Sequence, residues 1–227
     1  MKKTLCIFLA LSTMFLSVYA TNSIPEADRL SCWNATVDST DSSGNQRIYR
    51  MTVQPKIAFG GVMSMGTFSA SNIEAYTTYA AQEWTTVGMP VNEVNIGSAN
   101  IIVYAGKRQA MLLIDNTITA TTYLLPGHTY FHNGTGQPEK NWYYNSDVKC
   151  GYISNFNKVV LIWDDIIGNK LDISEGTYKN VLLQEVGHAL GWYGHSSNTT
   201  DIMHKAAKDS FLLTSRDVNH VKQIKGY

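Results

Sequence analysis

The side chains best suited to chemistry lie close together, at Gln184, Glu185, His188 and His195. Positions 184 and 188 are four apart, so on a helix they share one face. Glu185 sits beside them, displaced by about 100° around the axis. Gly191 can take the left-handed conformation that turns a chain sharply, and such a turn brings His195 back toward His188. Two imidazoles, a third ligand and a neighbouring carboxylate are what a catalytic zinc site needs, with one position left for water. Zinc lowers the pKa of that water toward ~7. A nearby Glu then removes the proton and passes it to a leaving amine.

Those residues need a framework. A helix is expected over residues 177–190, stopped by Gly191. Ser69 or Ser71 can cap an earlier helix that runs to about Val87, with Ile73, Tyr76, Ala80, Trp84 and Val87 on its buried face. A last helix is expected from Ser215 to about Lys225. Residues 46–54 largely alternate polar and apolar and read as a half-buried strand. Ile101–Tyr104, Met111–Ile114 and Val159–Trp163 are apolar runs that read as strands of a mostly buried sheet. Residues 126–151, rich in Gly, Asn and Tyr, read as a long irregular loop. Strands mixed with three helices indicate an α/β or α+β domain.

Composition narrows the class. The chain has 227 residues, 44% hydrophobic and 16% charged, with no net charge. It is too apolar for a disordered protein. The balanced charge excludes a strongly basic nucleic-acid binder. Residues 1–20 carry Lys2 and Lys3, an apolar run and a small residue at Ala20, the pattern of a secretory signal peptide. No later segment is long and apolar enough to span a membrane. The expected product is secreted, extracellular or periplasmic, starts near Thr21 and has a formal charge of −2 once Lys2 and Lys3 are gone. Residues 21–45 read as an N-terminal arm or short propeptide. Cleavage also removes Cys6. Cys32 and Cys150 remain, an even pair that suggests a disulfide in an oxidising compartment.

The segment from Gln184 to His195 resembles the metzincin metallopeptidases, and within them the matrixins, the matrix-metalloproteinase-like enzymes. Their motif is H-E-x-x-H-x-x-G-x-x-H followed by a Met-turn. The match is carried by Glu185, His188, Gly191 and His195, with Met203 eight residues further on. Ala81–Trp84, Ser98–Val103 and Leu213–Val218 are similar to the family's first long helix, a following strand and its closing helix. The resemblance covers roughly residues 46–227. It implies a twisted, mixed five-stranded sheet with a long N-terminal helix, an active-site helix, a Met-turn and a C-terminal helix. It also implies a zinc metalloendopeptidase acting as a monomer on peptide or protein substrates. His188 and His195 would be ligands, Glu185 the general base, and Gly191 and Met203 supports of the site. The strand around Ala120–Tyr123 would be the cleft rim, to which an extended peptide adds by main-chain hydrogen bonds. Residues 205–213 would wall the pocket beyond the scissile bond.

The family has His where this chain has Gln184. An amide oxygen is neutral and a weaker donor than imidazole. Three readings stay open. Gln184 serves as a poor ligand; or His204, His128 or His132 completes the site; or the metal is lost and the domain is a catalytically silent pseudoprotease that binds through the same cleft. Cys32 is either a disulfide partner of Cys150 or, as in matrixins, a latency cysteine that caps the zinc. The family's structural calcium or second zinc has no matching ligand spacing here, with Asp164 and Asp165 the candidates for an auxiliary cation.

Overall fold

The computed structural model describes residues 46–49, 54–62, 68–107, 127–132, 142–145, 150–153, 157–163, 174–192, 195–196 and 198–225. Strands β1 (Gln46–Tyr49), β2 (Lys56–Val62), β3 (Asn92–Glu93), β4 (Ile101–Gly106), β5 (Gly127–His132), β6 (Trp142–Asn145), β7 (Cys150–Ile153) and β8 (Asn157–Trp163) combine with helices α1 (Ala70–Thr86), α2 (Glu175–Leu190) and α3 (Ser215–Lys225). This is a mixed α/β arrangement.

Five strands form the main sheet in the order β3-β2-β4-β8-β5. The first four run parallel, and β5 lies antiparallel on the β8 edge. Parallel neighbours require long crossovers, and α1 supplies the one between β2 and β4. β1, β7 and β6 make a second, three-stranded sheet. The alternation along β4 sends Ile101, Val103 and Ala105 into the core. There they meet Ile57 of β2 and the apolar faces of α1 and α2.

Ser69 caps α1, its hydroxyl accepting from the Asn72 N–H at 3.2 Å. Ile73, Tyr76, Thr77, Ala80, Ala81 and Trp84 then recur at helical spacing on the buried face. The Trp84 indole N–H donates to the Leu183 carbonyl at 3.1 Å, which fastens α1 to α2. Helix α2 packs on α1, β5 and β8, and every residue from Asn180 to Leu190 is buried.

The three helices lie where the sequence places them, to within two residues. The strands bring corrections. Within the alternating segment 46–54, residues 46–49 form β1, in the small sheet, and residues 50–53 lie outside the described residues; the main sheet has a further strand, β2, after it. Residues 126–151 are not one irregular loop, since β5, β6 and the start of β7 fall within them. His128 and His132 therefore belong to a strand, opposite Leu161 and Asn157. The expected strands at Met111–Ile114 and Ala120–Tyr123 lie outside the described residues, as do the signal segment, the arm with Cys32, and Asp164 and Asp165. Cys150 opens β7, but its side chain also lies outside them.

Candidate metal centre

Helix α2 is fixed at both ends. The Ser174 hydroxyl accepts from the Thr177 N–H at 3.0 Å. At the other end the Gly191 N–H donates to the His188 carbonyl at 3.0 Å and the Trp192 N–H to the Gly187 carbonyl at 3.2 Å. That pair of bonds is a Schellman cap, and it requires the positive φ of Gly191, 124°. The chain therefore reverses within two residues of the helix end.

Gln184 and His188 lie one turn apart on α2, 6% and 9% exposed. The His188 Nδ1 bonds the Trp192 carbonyl. A carbonyl only accepts, so Nδ1 carries the proton and the lone pair of the neutral ring is on Nε2. Carbonyl support of this kind orients metal-binding histidines. The His195 ring stands 5.0 Å from that of His188, centre to centre, at 85°. Two imidazoles sharing a tetrahedral zinc through nitrogens ~2.0–2.1 Å from the metal stand about 5 Å apart. The spacing of the pair matches that requirement, and Gln184 stands one turn before His188 on the helix. The His195 side chain is reached by solvent, yet crowding by protein lowers its pKa, with help from the charges of His204 and Lys205. A ring kept neutral is a ring able to donate a lone pair.

Glu185 faces β5. The residue is 7% exposed, and burial pushes its pKa from 4.5 to about 7, although a hydrogen bond from Thr129 pulls the other way. The Thr129 hydroxyl lies 2.6 Å from Oε2. Gly127 lies on the same side of the strand, and a Cβ there would be 2.8 Å from the Glu185 Cγ.

His195 depends on a separate set of contacts. The Ser196 N–H donates to the Met203 carbonyl at 2.8 Å, and the Ser196 hydroxyl to Asp201 Oδ2 at 2.6 Å. Asp217, at the start of α3, accepts from the N–H groups of Ile202 at 2.9 Å and Met203 at 3.3 Å. Asp201 also accepts from the Thr214 hydroxyl at 3.0 Å and pairs with Arg216 Nε at 3.2 Å. Both carboxylates are fully buried, and burial raises the pKa of Asp217 against the pull of its hydrogen bonds. Met203 is fully buried, and its sulfur occupies the place a Cβ on Gly187 would take. It thus lies under the turn of α2 that carries His188.

Of the expected set, the structure places His188 beside His195 and Met203 beneath Gly187, with Gln184 and Glu185 on α2 and Gly191 at its end. Of the alternative third ligands, His204 accepts from the Ala206 N–H through Nδ1 at 3.2 Å. The side chains of His128 and His132 lie outside the described residues. Segment 205–213 is tied to the helices. Asn180 donates to the Ser210 carbonyl at 2.5 Å, and the Tyr79 hydroxyl to the Phe211 carbonyl at 3.0 Å. Sequence reading missed Thr129, Asp201 and Asp217. Only a preference of Thr for strands marks the first, and nothing local marks the other two. Among the described residues no group of three or more His, Cys, Asp or Glu is placed to hold a metal. No protein-family profile matches the chain, and no curated protein matches it.

Proposed function

We propose that the protein is a secreted, matrixin-like metzincin, a zinc-dependent endopeptidase. The single observation that carries this reading is the His188–His195 pair, 5.0 Å apart and edge to face, with His188 held through Nδ1. The five-stranded sheet with an antiparallel edge, a central helix ended by Gly191 and a buried Met203 beneath it support the family assignment.

His188 and His195 would hold the metal through imidazole nitrogens and Gln184 through its amide oxygen. When bound, zinc supplies Lewis acidity toward water and toward a peptide carbonyl. Glu185 takes a proton from the attacking water and returns it to the leaving amine. Among the described residues strand β5 pairs only with β8, and its other edge would offer main-chain groups to an extended peptide. Gln184 also favours a second reading, a silent homologue that binds peptides in the same cleft, because a neutral amide weakens the metal site.

The test compares the wild type, Gln184→His and Glu185→Ala for bound zinc and for cleavage of a mixed peptide library. Zinc-dependent cleavage that Glu185→Ala abolishes is the expected result. A wild type without zinc and without cleavage overturns the enzyme reading. Activity gained only in Gln184→His establishes the silent homologue.

A further inference from the structure

Glu185 belongs to α2, but the groups that restrict its carboxyl belong to β5. Gly127 and Thr129 are two apart on that strand, so both face the helix. The Thr129 hydroxyl is 2.6 Å from Oε2 and 2.9 Å from the Glu185 backbone carbonyl. Its one proton favours the nearer acceptor, the carboxyl group, at a distance typical of a hydroxyl bonded to a carboxylate. Gly127 brings its backbone against the other oxygen, since a Cβ there would stand 3.0 Å from Oε1 and 2.9 Å from Val181 Cγ1. Oε2 is bonded and the glycine lets the strand backbone close beside Oε1 without filling the space around it, so rotation about the last side-chain bond is restricted while Oε1 keeps a lone pair for a proton.

We propose that Gly127 and Thr129 are positioning residues that aim the Glu185 carboxylate, locking the general base to the strand along which the peptide lies. The role rests on the peptidase reading above. Base and substrate then share one reference frame, and a small shift of α2 does not separate them. Positioning of this kind acts on the chemical step more than on binding, because the base acts mainly in the transition state.

Thr129→Val keeps the shape of the side chain and its strand preference while removing the hydroxyl. The full chain carrying it is expected to lose about 10-fold in kcat, with KM and the zinc dissociation constant unchanged. Thr129→Ser restores the hydroxyl and is expected to recover kcat. In the zinc-free protein, NMR should show a protected, downfield-shifted Thr129 hydroxyl proton in the wild type, moving upfield in Glu185→Ala, where only the backbone carbonyl of residue 185 remains to accept it. Full kcat in Thr129→Val, a loss that Thr129→Ser does not restore, an equal loss of zinc affinity, or the absence of a protected proton overturns the proposal. A wild type that cleaves nothing removes the peptidase reading instead, and the hydroxyl proton still decides whether the contact exists.

Discussion

His188 and His195 face each other across 5.0 Å, yet different parts of the chain hold them in place. His188 sits on a helix buried throughout its C-terminal half, and its spacing from Gln184 follows from backbone bonds alone. Its own ring is oriented by Trp192, four residues on. His195 follows the helix on an irregular segment and is reached by solvent. Its place is set by Ser196, which is bonded to Met203 and Asp201, and those in turn depend on Thr214, Arg216 and Asp217. One histidine is positioned by local periodicity and the other by buried carboxylates from later in the chain. Damage to the first region should therefore cost stability without moving the two histidines apart. Damage to the second should weaken the metal site as well.

The harshest test is Asp217→Ala. It strands the buried N–H groups of Ile202 and Met203, each worth about 1–3 kcal/mol, so a loss of roughly 2–6 kcal/mol in denaturant unfolding is expected. Zinc affinity should fall with it. Unchanged affinity would mean that His195 is held by other contacts.

Next comes the helix side, through Glu185 in the zinc-free protein. Its folded pKa is raised, from 4.5 to about 7, so the folded state holds this proton more tightly than the unfolded chain. The associated stability is full below pH 4.5 and is lost as the pH rises through about 7. At about 1.36 kcal/mol per unit the loss is on the order of 3 kcal/mol. Glu185→Gln should flatten this slope in unfolding curves measured from pH 4 to 8.

Gly187→Ala places a methyl group against the Met203 sulfur, where the two regions touch. Overpacking of this kind costs about 1–3 kcal/mol by thermal or chemical unfolding. The smallest effects separate the regions most sharply. Ser174→Ala removes the cap of α2, and Ser196→Ala removes the hydroxyl bond to Asp201. Each should cost about 1 kcal/mol. Only Ser196→Ala should also weaken zinc binding in a metal titration, and equal effects on zinc would erase the distinction.

The same contrast explains what could be read from the sequence. Helix α2, its end at Gly191 and the cluster at 184–195 follow from local rules of spacing and capping. Helix α1 follows in the same way from Ser69 and a regular apolar face. Strand β2 was hidden by the paired Gly60 and Gly61, which resemble a turn. Strand β5 begins with a Gly that suggests a loop, although Gly127 is there because Glu185 and Val181 approach it. Asp217 looks like an ordinary acidic residue in the first turn of a helix. Its bonds to Ile202 and Met203 arise only once α3 folds back, and no local pattern encodes that return.

Met203 carries a consequence for oxidative damage. Its thioether is fully buried and packed where not even a methyl group fits on Gly187. Conversion to the sulfoxide adds a polar oxygen to that space. Peroxide can reach the sulfur only when the turn opens away from α2, so the rate of sulfoxide formation at Met203 measures how often the floor of the site opens. Once oxidised, the residue can no longer close against the helix, and a transient opening becomes a lasting one until a reductase reverses it.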